Sequence, residues 1–372
     1  NAVMTATGLS AGDVALGSYN LNIAEAGVGA TAGSVSGVIS GTGSLTKSGT
    51  GIVELAGANT YSGVTTISAG TLAVSGSLSN LTQVDITSGA TYRVDASDTV
   101  GSIEGAGNIT TGAASGTVVL TVDMDTSLAK TYSGEMSDGV NANLEFVKTG
   151  AGSLTLSAAN TYTGDTTISA GDLVVGGSGQ LGGGSYGGAI SIASGSTLTY
   201  ASSASQTITG VISGAGDLEK TTSTTSTLTL AGDNTYSGGT TVSAGYLKSG
   251  SSSGASPPTS GPFGTATVTV ASGAVLDVNG QTVGNAINLS GTGIETNGAI
   301  INSSTTAATL SGNITLAAHS SIGGANNVTI SGVISGDSMN LTKVGSSTYT
   351  LTNTNTYTGD TTISAGTMKL TG

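Results

Sequence analysis

Short stretches in which apolar and polar residues alternate make up most of the chain. Ile190–Tyr200 (ISIASGSTLTY) and Val268–Val278 (VTVASGAVLDV), for example, alternate briefly and then break at Ser-Gly. A period of two is typical of half-buried β-strands, and helical spacing is not sustained anywhere. Hairpin signals are few, at Asn279-Gly280, Asn297-Gly298 and Asp138-Gly139. The pattern predicts an all-β protein and favours stacked strands over a hairpin-rich barrel or sandwich.

One twelve-residue motif recurs four times. NTYTGDTTISAG stands unchanged at Asn160–Gly171 and Asn355–Gly366, and near-copies stand at Asn59–Gly70 and Asn234–Gly245. The tyrosines of successive copies are 101, 74 and 121 residues apart, which are close to multiples of one unit of about 24–25 residues. Such a period is the sequence signature of a solenoid. We expect a parallel β-helix that forms a single elongated domain, residues 1–372, with roughly 15 coils.

Each coil of such a fold carries two or three short strands and stacks about 4.8 Å above the one before it. Alternate residues point inward, so small apolar side chains form columns, and glycine tolerates the left-handed corners. We expect the motif asparagine to turn the chain, the glycine after the tyrosine to permit the bend, and Ile67, Ile168, Val242 and Ile363 to enter the core. The structural repeat positions are Asn59, Tyr61, Gly63, Asn160, Tyr162, Gly164, Asn234, Tyr236, Gly238, Asn355, Tyr357 and Gly359.

A longer signature surrounds the motif. Gly43–Val74 (GSLTKSGTGIVELAGANTYSGVTTISAGTLAV) and Lys148–Val175 (KTGAGSLTLSAANTYTGDTTISAGDLVV) show it most fully, and the copy at 210–250 is disturbed by Thr221–Thr227 (TTSTTST). This signature resembles the autotransporter-associated β-strand repeat, or passenger-associated transport repeat, of the secreted passengers of Gram-negative autotransporters. The resemblance implies a right-handed parallel β-helix at the cell surface or outside a Gram-negative cell.

Function is expected to follow that resemblance. Most such passengers are adhesins or other surface proteins, so we expect a non-catalytic extracellular adhesin or scaffold that contacts a host or neighbouring cell, a glycan or a matrix, as in a biofilm. An alternative stays open, because the last motif, 355–366, leads into a strand with no visible cap. Subunits could then join end to end or by strand complementation into a homopolymeric filament. An enzyme built on a β-helix is the least favoured alternative.

Composition limits the partners. The chain has 21 acidic and 8 basic residues, a net charge of −13, and a single arginine, Arg93. Nucleic acid and anionic membrane surfaces are poor partners, because their recognition needs clustered Lys and Arg. No run approaches the roughly 20 apolar residues of a membrane-spanning helix, so we expect no membrane insertion. Cysteine is absent, which excludes disulfides and thiol chemistry.

Candidate chemistry is sparse. Nucleophilic catalysis needs a base beside the serine, and the single histidine, His319, has only unremarkable serine neighbours. Asp123 and Asp125 would share the outer face of one strand, and Asp95 and Asp98 form a second acidic pair. A solvated surface is the favoured interpretation, with loose calcium binding by carboxylate oxygens as the alternative. We predict no catalytic residue, no cofactor and no metal site beyond weak calcium binding.

One segment breaks the repeat pattern. Residues 249–264 (SGSSSGASPPTSGPFG) contain all three prolines and one of the two phenylalanines. Proline cannot donate to a sheet ladder, so the segment is predicted to leave the coil as a protruding loop. Pro257, Pro258, Pro262 and Phe263 are candidates for a recognition loop, and a tolerated surface insertion is the alternative.

Overall fold

The computed structural model describes residues 2–5, 10–25, 33–125, 128–222, 225–254 and 256–372. In these residues the secondary structure consists of β-strands and two 3-10 turns, Gly182–Gly184 and Ile294–Thr296. The named strands pair in parallel, each with a strand one coil away in sequence. The fold is therefore a parallel β-solenoid, which confirms the all-β prediction, and it contains about 16 turns.

The chain divides into two compact units. The first comprises Asn1–Val174 and Ser178–Gly183, and the second Val175–Gly177 and Gly184–Gly372. The strands up to the boundary are β1 (Ala2–Thr5), β2 (Ser10–Ala11), β3 (Val14–Gly17), β4 (Leu21–Ala24), β5 (Gly33–Val35), β6 (Ile39–Gly41), β7 (Leu45–Ser48), β8 (Ile52–Leu55), β9 (Thr65–Ile67), β10 (Thr71–Val74), β11 (Gln83–Ile86), β12 (Thr91–Val94), β13 (Asp98–Val100), β14 (Ser102–Gly105), β15 (Asn108–Thr110), β16 (Gly116–Asp123), β17 (Ala129–Tyr132), β18 (Ala142–Thr149), β19 (Ser153–Leu156), β20 (Thr166–Ile168) and β21 (Asp172–Val175).

The second unit contains the remaining strands. They are β22 (Ser185–Tyr186), β23 (Ile190–Ile192), β24 (Thr197–Tyr200), β25 (Gln206–Ile208), β26 (Ile212–Gly214), β27 (Asp217–Lys220), β28 (Thr227–Leu230), β29 (Thr240–Val242), β30 (Gly245–Ser249), β31 (Val268–Val270), β32 (Ala274–Asp277), β33 (Thr282–Val283), β34 (Ile287–Gly291), β35 (Ile300–Ile301), β36 (Ala308–Leu310), β37 (Ile314–Gly323), β38 (Val328–Ile330), β39 (Ile334–Ser335), β40 (Leu341–Lys343), β41 (Thr348–Leu351), β42 (Thr361–Ile363) and β43 (Thr367–Leu370).

Successive coils stack their strands into columns. In the first unit one column runs β4, β7, β9, β11 and β14, and a second runs β5, β8, β10, β12 and β15. In the second unit β25, β28, β30, β32 and β35 form one column, and β36, β38, β41 and β43 another. Each column places equivalent residues of neighbouring coils side by side.

Alternation decides which side chains build the core. In β19 (SLTL) Leu154 and Leu156 are fully buried, while Ser153 and Thr155 are half-buried on the outer surface. The predicted core residues Ile67, Ile168 and Val242 are also fully buried. Ile363, in contrast, is 53% exposed in the structure, which corrects the prediction that it is a core residue: its strand β42 pairs with β40 and with no other named strand of the described chain.

The coils differ in length. Leu45 pairs with Thr65, 20 positions on, whereas Gly105 pairs with Tyr132, 27 positions on. The unit of 24–25 residues is therefore an average, and corners absorb the difference. Glycine recurs at these corners; Gly171, for example, has φ of 66°, a left-handed conformation that costs other residues strain.

Candidate functional site

The asparagine of the repeated motif bridges three coils. The Oδ1 atom of Asn160 accepts the backbone N–H of Met136 in the preceding coil at 3.0 Å. Its Nδ2 donates to the carbonyl of Gln180 in the following coil at 3.2 Å and to that of Ala158 in its own coil at 3.0 Å. The side chain is fully buried. We call this arrangement the asparagine clasp.

All four copies share the clasp in some form. The motif predicts that this asparagine turns the chain, and in the structure it also forms hydrogen bonds to neighbouring coils. Accepted backbone N–H groups belong to Ile39 for Asn59 (2.9 Å), Ile212 for Asn234 (2.7 Å) and Ile334 for Asn355 (2.8 Å), and the amide groups donate to the carbonyls of Ser77 (2.9 Å), Pro262 (2.7 Å) and Asn353 (3.1 Å), respectively.

The motif tyrosine forms a hydrogen bond inside the coil. Tyr162 is fully buried, and its hydroxyl lies 2.8 Å from the Oγ1 atom of Thr166 on the next strand. Tyr61 and Tyr236 are buried in the same way and pair with Thr65 and Thr240. Burial raises the pKa of Tyr61 and of Tyr236 above the ordinary value. The fourth pair, Tyr357 and Thr361 at 2.6 Å, lies in the uncovered last coil.

A buried lysine accompanies each copy. Lys148 is fully buried, and its ammonium group donates to the carbonyls of Thr149 (2.7 Å) and Gly150 (2.7 Å) and of Ala170 in the next coil (3.2 Å). Desolvation lowers its pKa to about 8, although the carboxylates of Asp172 and Asp123 act in the opposite direction. The other buried lysines are Lys47, Lys220 and Lys343.

The burial of these lysines has a signal in the sequence. Three of them follow a leucine by two positions, as Leu45 and Lys47 do, and Lys148 follows Phe146 at the same spacing. Residues two apart on a strand share a face, so a core leucine or phenylalanine places the lysine inside as well. Desolvation also lowers the pKa of Lys220, to about 8.

The glycine after each tyrosine lies against the preceding coil. A Cβ atom at Gly164 would overlap the carbonyl of Leu144, and one at Gly238 the carbonyl of Gly216. Gly63 and Gly359 meet backbone atoms in the same way. A side chain is excluded at these positions because the coils approach too closely.

The proline-rich segment divides into two parts. Phe263 is fully buried, and its carbonyl accepts the hydroxyl of Thr240 at 3.2 Å. Pro262 is buried too, and Gly261 exchanges two backbone hydrogen bonds with Asn234. This corrects the expectation that the whole of 249–264 protrudes. Phe263 and Pro262 are part of a coil corner, where the carbonyl of Pro262 accepts the side-chain amide of Asn234.

Of the remaining loop candidates, Pro258 is buried and Pro257 is exposed. A recognition surface in this segment could therefore use Pro257 but not the three buried residues. Recognition by the loop stays a prediction for Pro257.

The two acidic pairs do not form one common site. Asp123 and Asp125 are exposed, as the alternation predicted. Asp95 instead binds the guanidinium of Arg93, with 2.8 Å between Nη2 and Oδ2, and Asp98 is 3% exposed. In the described ranges no group of three or more His, Asp or Glu side chains could hold a metal ion. Weak calcium binding stays a prediction.

Two other candidates have local roles. Asp98 accepts the hydroxyl of Tyr92 at 2.5 Å and the backbone N–H of Leu78 at 2.9 Å, and burial raises its pKa. The exposed His319 accepts the backbone N–H of Asn340 at 3.0 Å through Nδ1. Both side chains therefore form hydrogen bonds that connect neighbouring coils.

Surface recesses occur in each unit. In the first unit a recess of about 600 Å³ is lined by leucines and by Asp123 and Asp125. In the second unit a groove of about 400 Å³ is lined by Tyr246, Val275, Asn297, Ile301, Asn302, Ser303, Gly324, Ala325, Asn326, Gly345 and Ser346. We call the latter the Tyr246 groove. No sequence pattern indicates this groove, because its residues come from six separate stretches of the chain.

Comparison with protein-family models identifies the motif and its surroundings. The passenger-associated-transport-repeat matches residues 45–74, 146–175, 225–248 and 341–370. These segments contain the clasp asparagines and the buried tyrosines. The chain carries four passenger-associated-transport-repeats. The four repeats are consistent with an autotransporter passenger, which confirms the resemblance seen in the sequence.

The passenger-associated-transport-repeats at 45–74, 146–175 and 341–370 also include the buried lysines Lys47, Lys148 and Lys343, whereas Lys220 precedes the third match. No curated protein and no solved structure matches the chain. The part of the chain that the structure describes has no helix of the length and hydropathy needed to cross a membrane.

Proposed function

We propose that this chain is a non-catalytic autotransporter passenger displayed outside a Gram-negative cell, where it acts as an adhesive scaffold. The proposal rests on one observation: the polar side chains that recur in the repeats point into the solenoid. The asparagine, tyrosine and lysine of the repeats bind neighbouring coils, as at Asn160, Tyr162 and Lys148. Their polar groups are occupied by the scaffold, so contacts with a partner fall to the outer face.

The outer face suits many weak contacts. Between the buried positions of each strand stand half-buried polar residues, such as Thr155 in β19 and Thr229 in β28. Stacked coils repeat these positions at the strand spacing of about 4.8 Å, which presents hydroxyl groups in rows. A surface of this kind offers hydrogen bonds to a glycan or a matrix along its length.

Surface display tests the proposal. The full chain would be displayed on a non-adherent laboratory bacterium, and cells retained on epithelial monolayers and on matrix-coated glass would be counted. We expect retention about tenfold above that of cells with an empty display anchor, because many weak contacts add through avidity. Retention should disappear when an external protease removes the chain.

The controls decide between scaffold and enzyme. Purified chain incubated with polysaccharides should release no reducing ends. Retention equal to the empty anchor on every surface, or polysaccharide turnover that requires the folded chain, would contradict the proposal.

A further inference from the structure

The Tyr246 groove lies on the outer surface of one strand column. Tyr246 and Lys248 alternate with the buried Leu247 in β30 and therefore point outward. Tyr246 pairs with Val275 of β32, and Lys248 with Asp277. Val275 is nevertheless only 1% exposed and Asp277 only 4%. The outer face of β32 is thus recessed, whereas the outward residues of neighbouring strands reach solvent.

The 3-10 turn Ile294–Thr296 lies beside the recess. Desolvation raises the pKa of Tyr246, and the carboxylates of Glu295 and Asp277 add to the effect. A tyrosine hydroxyl is protonated at neutral pH and can donate a hydrogen bond. Asn297, directly after the turn, is exposed and lines the groove.

An aromatic residue at this position is particular to the third repeat. The residue after the motif's final Ala-Gly is Thr71 in the first copy, Asp172 in the second and Thr367 in the fourth, but Tyr246 in the third. The repeat scaffold therefore does not require an aromatic side chain here. The half-buried Tyr246 side chain lines the groove and is accessible to a ligand.

Lys248 and Asp277, beside the groove, form an ion pair and are held by further hydrogen bonds. The ammonium group of Lys248 lies 3.7 Å from Asp277 Oδ2 and donates to Ser303 Oγ at 3.0 Å. Asp277 Oδ1 accepts the backbone N–H groups of Asn279 and Ser303, each at 3.0 Å. These contacts hold Lys248 and Asp277 in place. Because Lys248 is paired with Asp277, it is not an unpaired cation that could bind an anionic ligand.

We propose that the Tyr246 groove binds a neutral oligosaccharide segment of a surface glycan. A sugar ring has an apolar C–H face and a rim of hydroxyl groups, and the groove matches both. Tyr246 and Ile301 supply the apolar surface, and the buried Val275 lies beneath it. Side chains of Asn297, Ser303, Asn326 and Ser346 supply amide and hydroxyl groups at the rim. The volume falls within the range of about 300–1,000 Å³ typical of small-ligand sites.

The glycine residues of the lining fit this ligand. Gly324 and Gly345 have no side chains, so the surface beside the apolar patch stays low. An elongated ligand can then pass across the coils. The acidic surface, with a net charge of −13, disfavours anionic sugars. The assignment rests on the adhesive function proposed above and names its ligand class.

Calorimetric titration of the full chain tests the site. The probes are cellohexaose, mannohexaose and chitohexaose as neutral sugars and a heparin hexasaccharide as the anionic one. We expect at least one neutral hexasaccharide to bind and the heparin fragment not to bind. Tyr246→Thr, which restores the residue of the first and fourth repeats, should weaken binding about tenfold.

Matched controls separate binding from folding. Tyr19→Thr removes a tyrosine that is 68% exposed in the first unit and should leave affinity within about twofold. Both variants should keep the wild-type thermal midpoint. Absence of binding by all neutral probes, or equal affinity of wild type and Tyr246→Thr, would overturn the site.

The two proposals fail separately. If displayed cells adhere but Tyr246→Thr adheres equally and binds sugar equally, the groove is not the site and the adhesive function stands. If the hexasaccharide binds through Tyr246 but displayed cells do not adhere, the groove stands and the adhesive function fails.

Discussion

The interior of each repeat contains hydrogen-bonding side chains in positions that a solenoid could fill with leucine. Asn160 and Lys148 connect backbone groups of neighbouring coils where coil corners leave them outside the strand ladders. An unpaired buried N–H or carbonyl is costly, so these side chains satisfy groups that the fold itself creates. This explains why the same residues return at every copy.

Removing one clasp should destabilise the protein measurably. Asn160→Ala leaves the N–H of Met136 and the carbonyl of Gln180 without this partner, so we expect the free energy of unfolding to fall by about 1–3 kcal/mol. Urea unfolding monitored by circular dichroism measures the change. Asn355→Ala is the matched control, because its half-exposed site bonds no following coil. Equal effects of the two substitutions would contradict the clasp.

The buried lysines predict an unusual pH dependence. The pKa of Lys148 is lowered to about 8, while an unfolded lysine keeps its proton up to about 10.4. Unfolding therefore takes up protons between these values, and the free energy of unfolding should rise with pH from about 8 to 10. Above pH 10 the trend should reverse, because buried tyrosines such as Tyr61 have raised pKa values.

Urea midpoints measured from pH 7 to 10 test this dependence. Lys148→Met should reduce the rise but not abolish it, because the pKa of Lys220 is also lowered to about 8. Lys369→Met, at an exposed lysine, should leave the slope unchanged. A flat wild-type profile, or equal slopes for wild type and Lys148→Met, would show that the burial does not perturb the lysine.

At the scale of the element, the sequence predicted the strands well and their corners less well. Alternation identifies which face of a strand is buried, and it correctly placed Ile67, Ile168 and Asp123. Corners have no such period. The proline-rich pattern therefore predicts a protruding loop that includes Phe263, whereas the structure buries this side chain fully. The Tyr246 groove could not be predicted from the sequence for a related reason. The lengths of the coils decide which distant segments lie side by side, and the repeat pattern does not give those lengths.

Two adjacent glycines test how closely the coils approach. A Cβ atom at Gly238 would overlap the Gly216 carbonyl, whereas one at Gly239 would lie 3.6 Å from Asp217 Oδ1, an ordinary contact. Gly238→Ala should lower the thermal midpoint substantially, with a cost of about 1–3 kcal/mol typical of overpacking. Gly239→Ala should change it little. Similar midpoints for the two variants would mean that the coil spacing adapts freely.

At the scale of the whole molecule, the distribution of charge restricts the partners. All eight basic residues lie in the described part of the chain, where Lys47, Lys148, Lys220 and Lys343 are buried and Arg93, Lys130 and Lys248 are in ion pairs. Of the eight, only Lys369 is exposed and outside these groups. The surface therefore has even less available positive charge than the composition implies.

We therefore expect the protein not to bind polyanions. The purified chain should pass through immobilised heparin and should not retard duplex DNA in a gel, even at low salt, because counterion release requires phosphate or sulfate contacts from Lys and Arg. Elution position and gel mobility measure this. Retention that weakens with added salt would contradict the charge assignment.

Stability and recognition are assigned to separate parts of this protein: the repeats hold the coils together, and the Tyr246 groove is proposed to bind a sugar. One paired measurement tests it: urea midpoint and hexasaccharide affinity for Asn160→Ala and Tyr246→Thr. The account predicts that Asn160→Ala lowers the midpoint and keeps the affinity of the folded protein, while Tyr246→Thr keeps the midpoint and loses about tenfold in affinity. A shared loss of stability and affinity in both variants would contradict it.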